Sequence, residues 1–164
     1  VRAFNSRYGD TFPEPQAVFT EAPTVLGTDG VRKMSKSVGN TIDVLAEPEV
    51  IRKQVMSMVT DTQRILRTDP GRPEVCNVCQ LQRFFGDDYE SLWDGERTAR
   101  TGCVDMKRLL ADRIVRHYEP ARERYLELQS KPALVDEILA AGADRLAPMA
   151  ADTMAEVRQR MGLR

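Results

Sequence analysis

Apolar positions recur at helical spacing through most of the second half of the chain and in one stretch before it. Val50, Ile51, Val55, Met58 and Val59 share one face. Glu47-Pro48-Glu49 in front of them suits a helix start: proline lacks only an N–H that the first turn leaves unpaired, and the carboxylates oppose the positive end of the helix dipole. Residues 74–85 predict a second helix with Val78, Leu81, Phe84 and Phe85 inward. From Gly102 the pattern is almost wholly helical, with Val104, Leu109, Leu110, Ile114, Val115 and Tyr118 as one stripe. Pro120 is expected to restart or kink that helix before Tyr125, Leu126 and Leu128, and Lys131-Pro132 to end it. Leu134, Val135, Ile138 and Leu139 predict a short helix that Gly142 closes as a left-handed cap. Leu146, Met149, Ala150, Met154, Val157 and Met161 form the last apolar face, with Pro148 as its first residue or a kink.

The remaining segments read differently. Val1 to Pro15 mixes Phe4, Tyr8 and Phe12 with Asn5, Gly9, Asp10, Pro13 and Pro15, which predicts loop. A short strand is expected near 16–22 or 23–26, at the edge of a sheet whose partners are absent. Asp69 to Pro73 is a turn, and Asp87, Asp88, Asp94 and Gly95 mark an acidic connector around Trp93, a local core anchor. Short helices on short connections predict a mainly α fold, a helical bundle.

The chain has 164 residues, 41% of them hydrophobic, enough for one real core. No apolar run approaches the roughly 20 residues that span a bilayer. Neither a membrane span nor a targeting segment is therefore expected, and a cytoplasmic setting is. A net charge of −1 gives no blanket case for nucleic-acid binding. Its distribution is uneven, however: residues 31–67 hold seven basic and four acidic side chains, 97–131 nine and five, and 69–96 two and seven. Arg97, Arg100, Lys107, Arg108 and Arg116 are candidate phosphate contacts, or equally solvated helix faces.

Five of the 24 basic residues are lysine, and two of those lie in Lys33-Met34-Ser35-Lys36-Ser37, between Gly30 and Gly39. Ammonium groups on flexible stems, hydroxyls and loop N–H groups are what a polyphosphate needs. The sequence of this loop also resembles the KMSKS loop of class I aminoacyl-tRNA synthetases. Leu26-Gly27-Thr28-Asp29-Gly30, Gly39-Asn40-Thr41-Ile42, Arg67-Thr68-Asp69-Pro70, Cys76-Asn77-Val78, Gly102-Cys103 with Lys107, Pro120-Ala121-Arg122-Glu123-Arg124 and Met161-Gly162-Leu163 narrow the resemblance to the tryptophanyl-tRNA synthetases.

The resemblance implies a C-terminal half: a helical, tRNA-contacting domain attached to the C-terminal edge of a Rossmann-type nucleotide-binding fold whose main part is absent. Residues 1–32 would be its remnant, 33–40 the loop, 41–141 the helical anticodon-side domain and 142–164 a last helix packing on the catalytic domain. The family's second ATP motif, His-Ile-Gly-His, is not in the sequence, whose one histidine, His117, reads as a packing or surface residue. Activity is therefore expected of the full-length protein and not of this chain alone. That activity would be ATP-dependent formation of tryptophanyl-adenylate and transfer of tryptophan to tRNA(Trp). Lys33 and Lys36 would be catalytic, stabilising the phosphates with Mg²⁺. Ser35 and Ser37 would donate hydrogen bonds, Met34 would pack the loop, and Thr24 would lie near the adenine. The family also implies a homodimer. An isolated non-catalytic tRNA-binding domain, or another class I synthetase such as the tyrosyl enzyme, is the alternative.

Cys76-x-x-Cys79 with Cys103 invites a metal reading. Some members of the resembled family hold an iron–sulfur cluster, but where they use a further cysteine this chain has Met106. Three cysteines without a ready fourth ligand are expected to be reduced structural thiols, with no metal.

Overall fold

A computed structural model describes residues 1–20, 22 and 24–163. Six helices succeed one another: α1 Arg2–Tyr8, α2 Pro48–Met56, α3 Asn77–Gln82, α4 Tyr89–Arg97, α5 Cys103–Gln129 and α6 Pro132–Arg160. Among the described residues there is no strand, only a single antiparallel bridge between Leu26 and Lys33. The protein is mainly helical. It divides into two compact units, one of Ala22–Leu126 and one of Val1–Glu21 with Glu127–Arg164.

The larger unit holds the core. Ile42, Ile51, Val55, Met58, Cys76, Val78, Cys79, Leu81, Met106, Leu110, Ala111 and Ile114 pack together, and Val25, Met34, Phe85, Trp93 and Tyr118 close over them. α2 begins as expected, with Pro48 in its first turn. Ile51, Val55 and Met58 face inward, whereas Val50 and Val59 are exposed. α3 is shorter than the predicted 74–85, because the turn at Arg72–Cys76 occupies its first positions. Phe84, expected inside, is exposed. The acidic connector is itself helical, as α4. Trp93 anchors it by donating from Nε1 to the Cys79 carbonyl at 3.0 Å. His117 is exposed and stacks edge-on with Phe85.

Proline marks one break in the long helices, at Lys131-Pro132 between α5 and α6 as expected, and not the others. α5 continues through Pro120 and α6 through Gly142 and Pro148, so neither a restart at 120 nor a cap at 142 is present. A helical proline strips a partner from the carbonyl four residues back. Those carbonyls belong to Arg116 and Asp144, both on exposed residues where water can replace the lost donor. The left-handed cap is Gly162, at φ 72°. Its N–H reaches the Gln159 carbonyl at 3.1 Å and that of Leu163 reaches Arg158 at 2.8 Å, which satisfies the last orphan carbonyls of α6.

The smaller unit corrects two further expectations. Arg2–Tyr8 is a helix and not a loop. Asn5 secures the turn after this helix: Oδ1 accepts from the Thr11 and Phe12 N–H groups and Nδ2 donates to the Phe12 carbonyl at 2.7 Å, while the Phe4 ring packs on Tyr8 and Phe12. Residues 16–20 form no strand. Of the predicted apolar face of α6 only Val157 is buried, with Leu146, Met149, Met154 and Met161 exposed.

Core burial should dominate stability. Leu110→Ala, at a fully buried position, should cost about 2–5 kcal/mol in urea unfolding. Leu139→Ala, on an exposed one, should change it by under about 0.5 kcal/mol. Equal effects would contradict the assigned core.

Candidate functional site: the lysine-serine loop and its footing

The loop is built from two tight turns with an asparagine between them. In the first, Gly27 donates to the Arg32 carbonyl at 2.8 Å and Gly30 to the Gly27 carbonyl at 2.9 Å. Met34 N–H then meets the Val25 carbonyl at 2.8 Å. Asp29 fixes the turn from inside: its Oδ1 accepts from Val31 and Arg32 N–H at 3.0 and 2.9 Å, and Oδ2 from Arg32 Nε at 3.2 Å. The second turn spans Ser35 to Gly39, where Val38 and Gly39 donate back to the Ser35 carbonyl.

Asn40 joins the two. Its side chain is buried, 4% exposed. Oδ1 accepts from the Ser35 N–H at 2.9 Å, and Nδ2 donates to Asp29 Oδ2 at 2.9 Å with the Lys33 carbonyl at 3.3 Å. Gly27 is needed for this arrangement, since a Cβ there would overlap the Asn40 carboxamide. The footing extends into the helical body. Asn77, at the start of α3 and also 4% exposed, donates from Nδ2 to the Gly27 carbonyl at 2.8 Å, and Val59 N–H donates to the Thr28 carbonyl at 2.9 Å.

On this footing the tip is open. Lys33 and Lys36 are exposed, and neither has an ion-pair partner among the described residues. Ser35 Oγ and Ser37 Oγ lie 2.9 Å apart. Met34 turns the other way and packs against the core. The structure thus brings together Lys33, Met34, Ser35, Lys36 and Ser37, while Thr24 lies exposed one residue before the Val25 carbonyl that receives Met34. Two ammonium groups without internal partners can be given to an anionic ligand without first breaking a contact.

Most of the candidate phosphate-binding side chains are already engaged. Arg97 lies over the Trp93 ring and near Glu74, Arg100 pairs with Asp94, Arg108 with Asp105, and Lys107 donates to the Met56 carbonyl at 3.1 Å. Arg116 is exposed and has no ion-pair partner among the described residues.

A second polar cluster lies beneath α3. Cys76 caps that helix, Cys79 lies in its first turn, and Glu96 of α4 meets them, all three buried. The Cys79 thiol and the Cys79 and Asp61 N–H groups lie on the Cys76 side of the cluster and favour a charged Cys76 sulfur, while that sulfur and burial disfavour one at Cys79. Cys76 is thereby held below the usual thiol range and Cys79 above it. Arg64 Nη1 lies 2.8 Å from Glu96 Oε2, and its Nη2 donates to the Arg67 and Thr101 carbonyls. Burial opposes the charge on Arg64, but Glu96 and the Cys103 sulfur outweigh it. Nothing in the sequence pattern singles out Arg64 or Glu96, and Asn40 and Asn77 stand only within segments that carry the family resemblance, with no role attached to either. Asp29-Gly30 as a turn signal is the one local clue to the footing.

The loop holds two lysines out from a helical body, neither with an ion-pair partner among the described residues. A family model described as "tRNA synthetases class I (W and Y)" matches residues 1–119, and the chain belongs to that family. It is 43% identical to the tryptophan–tRNA ligase of Aquifex aeolicus, over 99% of this chain and 42% of the relative. To that of Thermotoga maritima it is 39% identical, over 99% and 50%. A crystal structure of the Campylobacter jejuni tryptophanyl-tRNA synthetase complexed with ADP and tryptophan superposes with a TM-score of 0.76 at 33% identity, covering 97% of this chain and 50% of that one. The chain spans about half the length of the curated relatives it matches.

The footing is open to two measurements. Asn40→Ala leaves the Ser35 N–H without its acceptor, which costs about 1–3 kcal/mol if the donor stays buried. Hydrogen exchange at that amide should accelerate, and unchanged protection would refute the Asn40 brace. Asp29 has its carboxyl lowered to about 2, first by the Val31 N–H and then by that of Arg32. A depressed folded pKa means that the stability it lends is complete above the ordinary carboxylate value of 3.8 and disappears as pH falls through about 2. Titration of the Asp29 carboxyl carbon by NMR should show that low midpoint; an ordinary one would rule out the turn as described.

Proposed function

We propose that this chain is the C-terminal portion of a tryptophan–tRNA ligase whose Lys33–Ser37 loop stabilises the ATP phosphates during tryptophan activation. The observation that carries this reading is the pair of exposed, unpaired ammonium groups on a loop braced by Asn40 and Asn77. In the activation step a carboxylate oxygen of tryptophan attacks the α-phosphorus, and the bond to the bridging oxygen breaks to release pyrophosphate. Negative charge grows on that leaving group, so positive charge placed there beforehand lowers the barrier more than it tightens substrate binding. Lys33 and Lys36 supply it, Ser35 and Ser37 donate to phosphate oxygens, and Thr24 lies on the adenine side.

Mg²⁺ enters this scheme on the nucleotide. The one carboxylate of the loop, Asp29, is already committed to Val31, Arg32 and Asn40. The ion's role is to share the phosphate charge, which is what a polyphosphate substrate requires. The helical unit would approach tRNA(Trp), with Arg116 the phosphate contact least committed elsewhere. The full-length protein is expected to act as a cytoplasmic homodimer, and the isolated chain to be inactive. Tryptophan is preferred to tyrosine because the relatives across the whole chain carry the tryptophan name.

Lys36→Ala in the full-length enzyme should lower tryptophan-dependent ATP–pyrophosphate exchange by about 10²–10³-fold. Exchange within twofold of wild type would remove the assigned role, and exchange driven by tyrosine in place of tryptophan would move the chain to the other amino acid.

A further inference from the structure

We propose that Asn77 is a positioning residue for tryptophan activation: from the first turn of α3 it sets where the main chain of Lys33 and Lys36 stands, and so where their ammonium groups reach. This rests on the reading of the loop as the stabiliser of the ATP phosphates, and adds to it a residue that acts through the loop. An asparagine near a helix start commonly turns its carboxamide on the neighbouring main chain. Here Nδ2 instead donates to the Gly27 carbonyl at 2.8 Å, fifty positions back, and reaches the Leu26 carbonyl at 3.4 Å. At 4% exposure the group is held away from water, where an amide donor without an acceptor is costly.

Those two carbonyls belong to the peptides on which Lys33 depends. Leu26 lies opposite Lys33 in the antiparallel bridge. The bonds on either side of that pair run from Gly27 N–H to the Arg32 carbonyl and from Met34 N–H to the Val25 carbonyl, each 2.8 Å. The Gly27 carbonyl gripped by Asn77 also receives the Gly30 N–H at 2.9 Å, the bond that closes the turn. One carboxamide therefore orients the segment against which the main chain of Lys33 is laid. Asn40 carries the constraint onward: its side chain lies against Gly27, and it holds the Lys33 carbonyl at 3.3 Å and the Ser35 N–H at 2.9 Å, next to Lys36.

The element that carries Asn77 makes it a fixed reference for the loop. Five of the six residues of α3 are buried, Val78 and Cys79 completely, and a close-packed helix has few alternative positions. The other tie to the helical body, Val59 N–H to the Thr28 carbonyl at 2.9 Å, comes from an irregular segment whose side chain is exposed. Without Asn77, that tie and the packing of Val25 and Met34 on the core keep the loop attached, but no contact from α3 sets its height. Displacing a reacting or stabilising group by about 1 Å can cost 10²-fold in rate. Charge on the departing pyrophosphate develops only in the transition state, so the loss falls on the activation rate and not on tryptophan binding. The later transfer step is a control within the same enzyme: a tRNA ribose hydroxyl attacks the tryptophanyl carbonyl, AMP departs, and no pyrophosphate charge needs the lysines.

The test is made in the full-length enzyme with Asn77→Ala and, because the site is buried, with Asn77→Asp, which keeps the shape of the side chain and replaces the donor by an oxygen. Either variant that retains the wild-type far-ultraviolet circular dichroism is read. Its kcat for tryptophan-dependent ATP–pyrophosphate exchange should fall about 10- to 100-fold, with the KM for tryptophan within about twofold. Transfer from preformed tryptophanyl-adenylate to tRNA should keep the wild-type rate. With Lys33→Ala and Lys36→Ala already in place, removing Asn77 should cost under about threefold in single-turnover activation, since both changes strike the same charge. Wild-type exchange by a folded Asn77 variant, an equal loss in the transfer step, or an undiminished loss in the enzyme without the loop lysines overturns the proposal. Lys36→Ala at the wild-type exchange rate would instead remove the phosphate reading of the loop, and this positioning role with it; impaired Lys36→Ala beside unimpaired Asn77→Ala removes the positioning role alone.

Discussion

The carboxamide of Asn40 is the constraint on which the working face of this chain rests. It is one planar group with an acceptor on one side and two donors on the other. It closes the turn that ends in Ser35 while gripping the aspartate that closes the turn before it. The proposed phosphate role sets conflicting needs: a tip open to a ligand, and ends that are held fast. Burying one side chain between the ends, and leaving both lysines outside, separates the two needs within sixteen residues, Val25 to Asn40. The footing then passes into the helical body through Asn77 and Val59, so the loop is anchored to α3 and to the segment after α2.

The buried Arg64–Glu96 pair organises the opposite side of α3. With both side chains 1% exposed, the pair is costly to desolvate and is compensated by geometry: two carbonyls take Arg64 Nη2, and the Glu96 main-chain carbonyl receives the Gly71 N–H at 2.9 Å. Removing one partner strands a charge among apolar groups. Such a pair ties together the segments around Arg64, Gly71, α4 and the start of α5, although Arg64 Nε and Glu96 Oε2 are left without a directed hydrogen bond.

Sequence carried the tip of the site and little of its support. Lys33, Lys36 and the serines are recognisable because their chemistry lies in five consecutive letters, and α2 because Pro48 and a helical stripe agree. Asn77 and Gly27 are fifty positions apart, and nothing in either neighbourhood announces a side chain donating to a distant carbonyl. Glu96 stands in a run of acidic residues that reads as solvated, and only the fold reveals that this one carboxylate turns inward. Pro120, Gly142 and Pro148 mislead for a related reason: local propensity charges about 1–3 kcal/mol for each inside a helix, and long helices with solvated carbonyls absorb it. The apolar positions of α6 are legible as a face, but periodicity alone does not say whether a face is covered.

The scarcity of lysine has a chemical corollary. Of five lysines, Lys107 is tied to a main-chain carbonyl and Lys131 to Glu127, whereas Lys53 of α2 and the two in the loop are exposed and have no ion-pair partner among the described residues. Almost every other cation is a guanidinium, which acylating reagents leave untouched. Amine-directed acylation therefore discharges the tip of this loop, together with Lys53, while sparing most of the positive surface, and any enzyme that acetylates lysine would meet the same selectivity. In arginine-rich surroundings, the choice of ammonium makes the loop the chain's principal erasable charge.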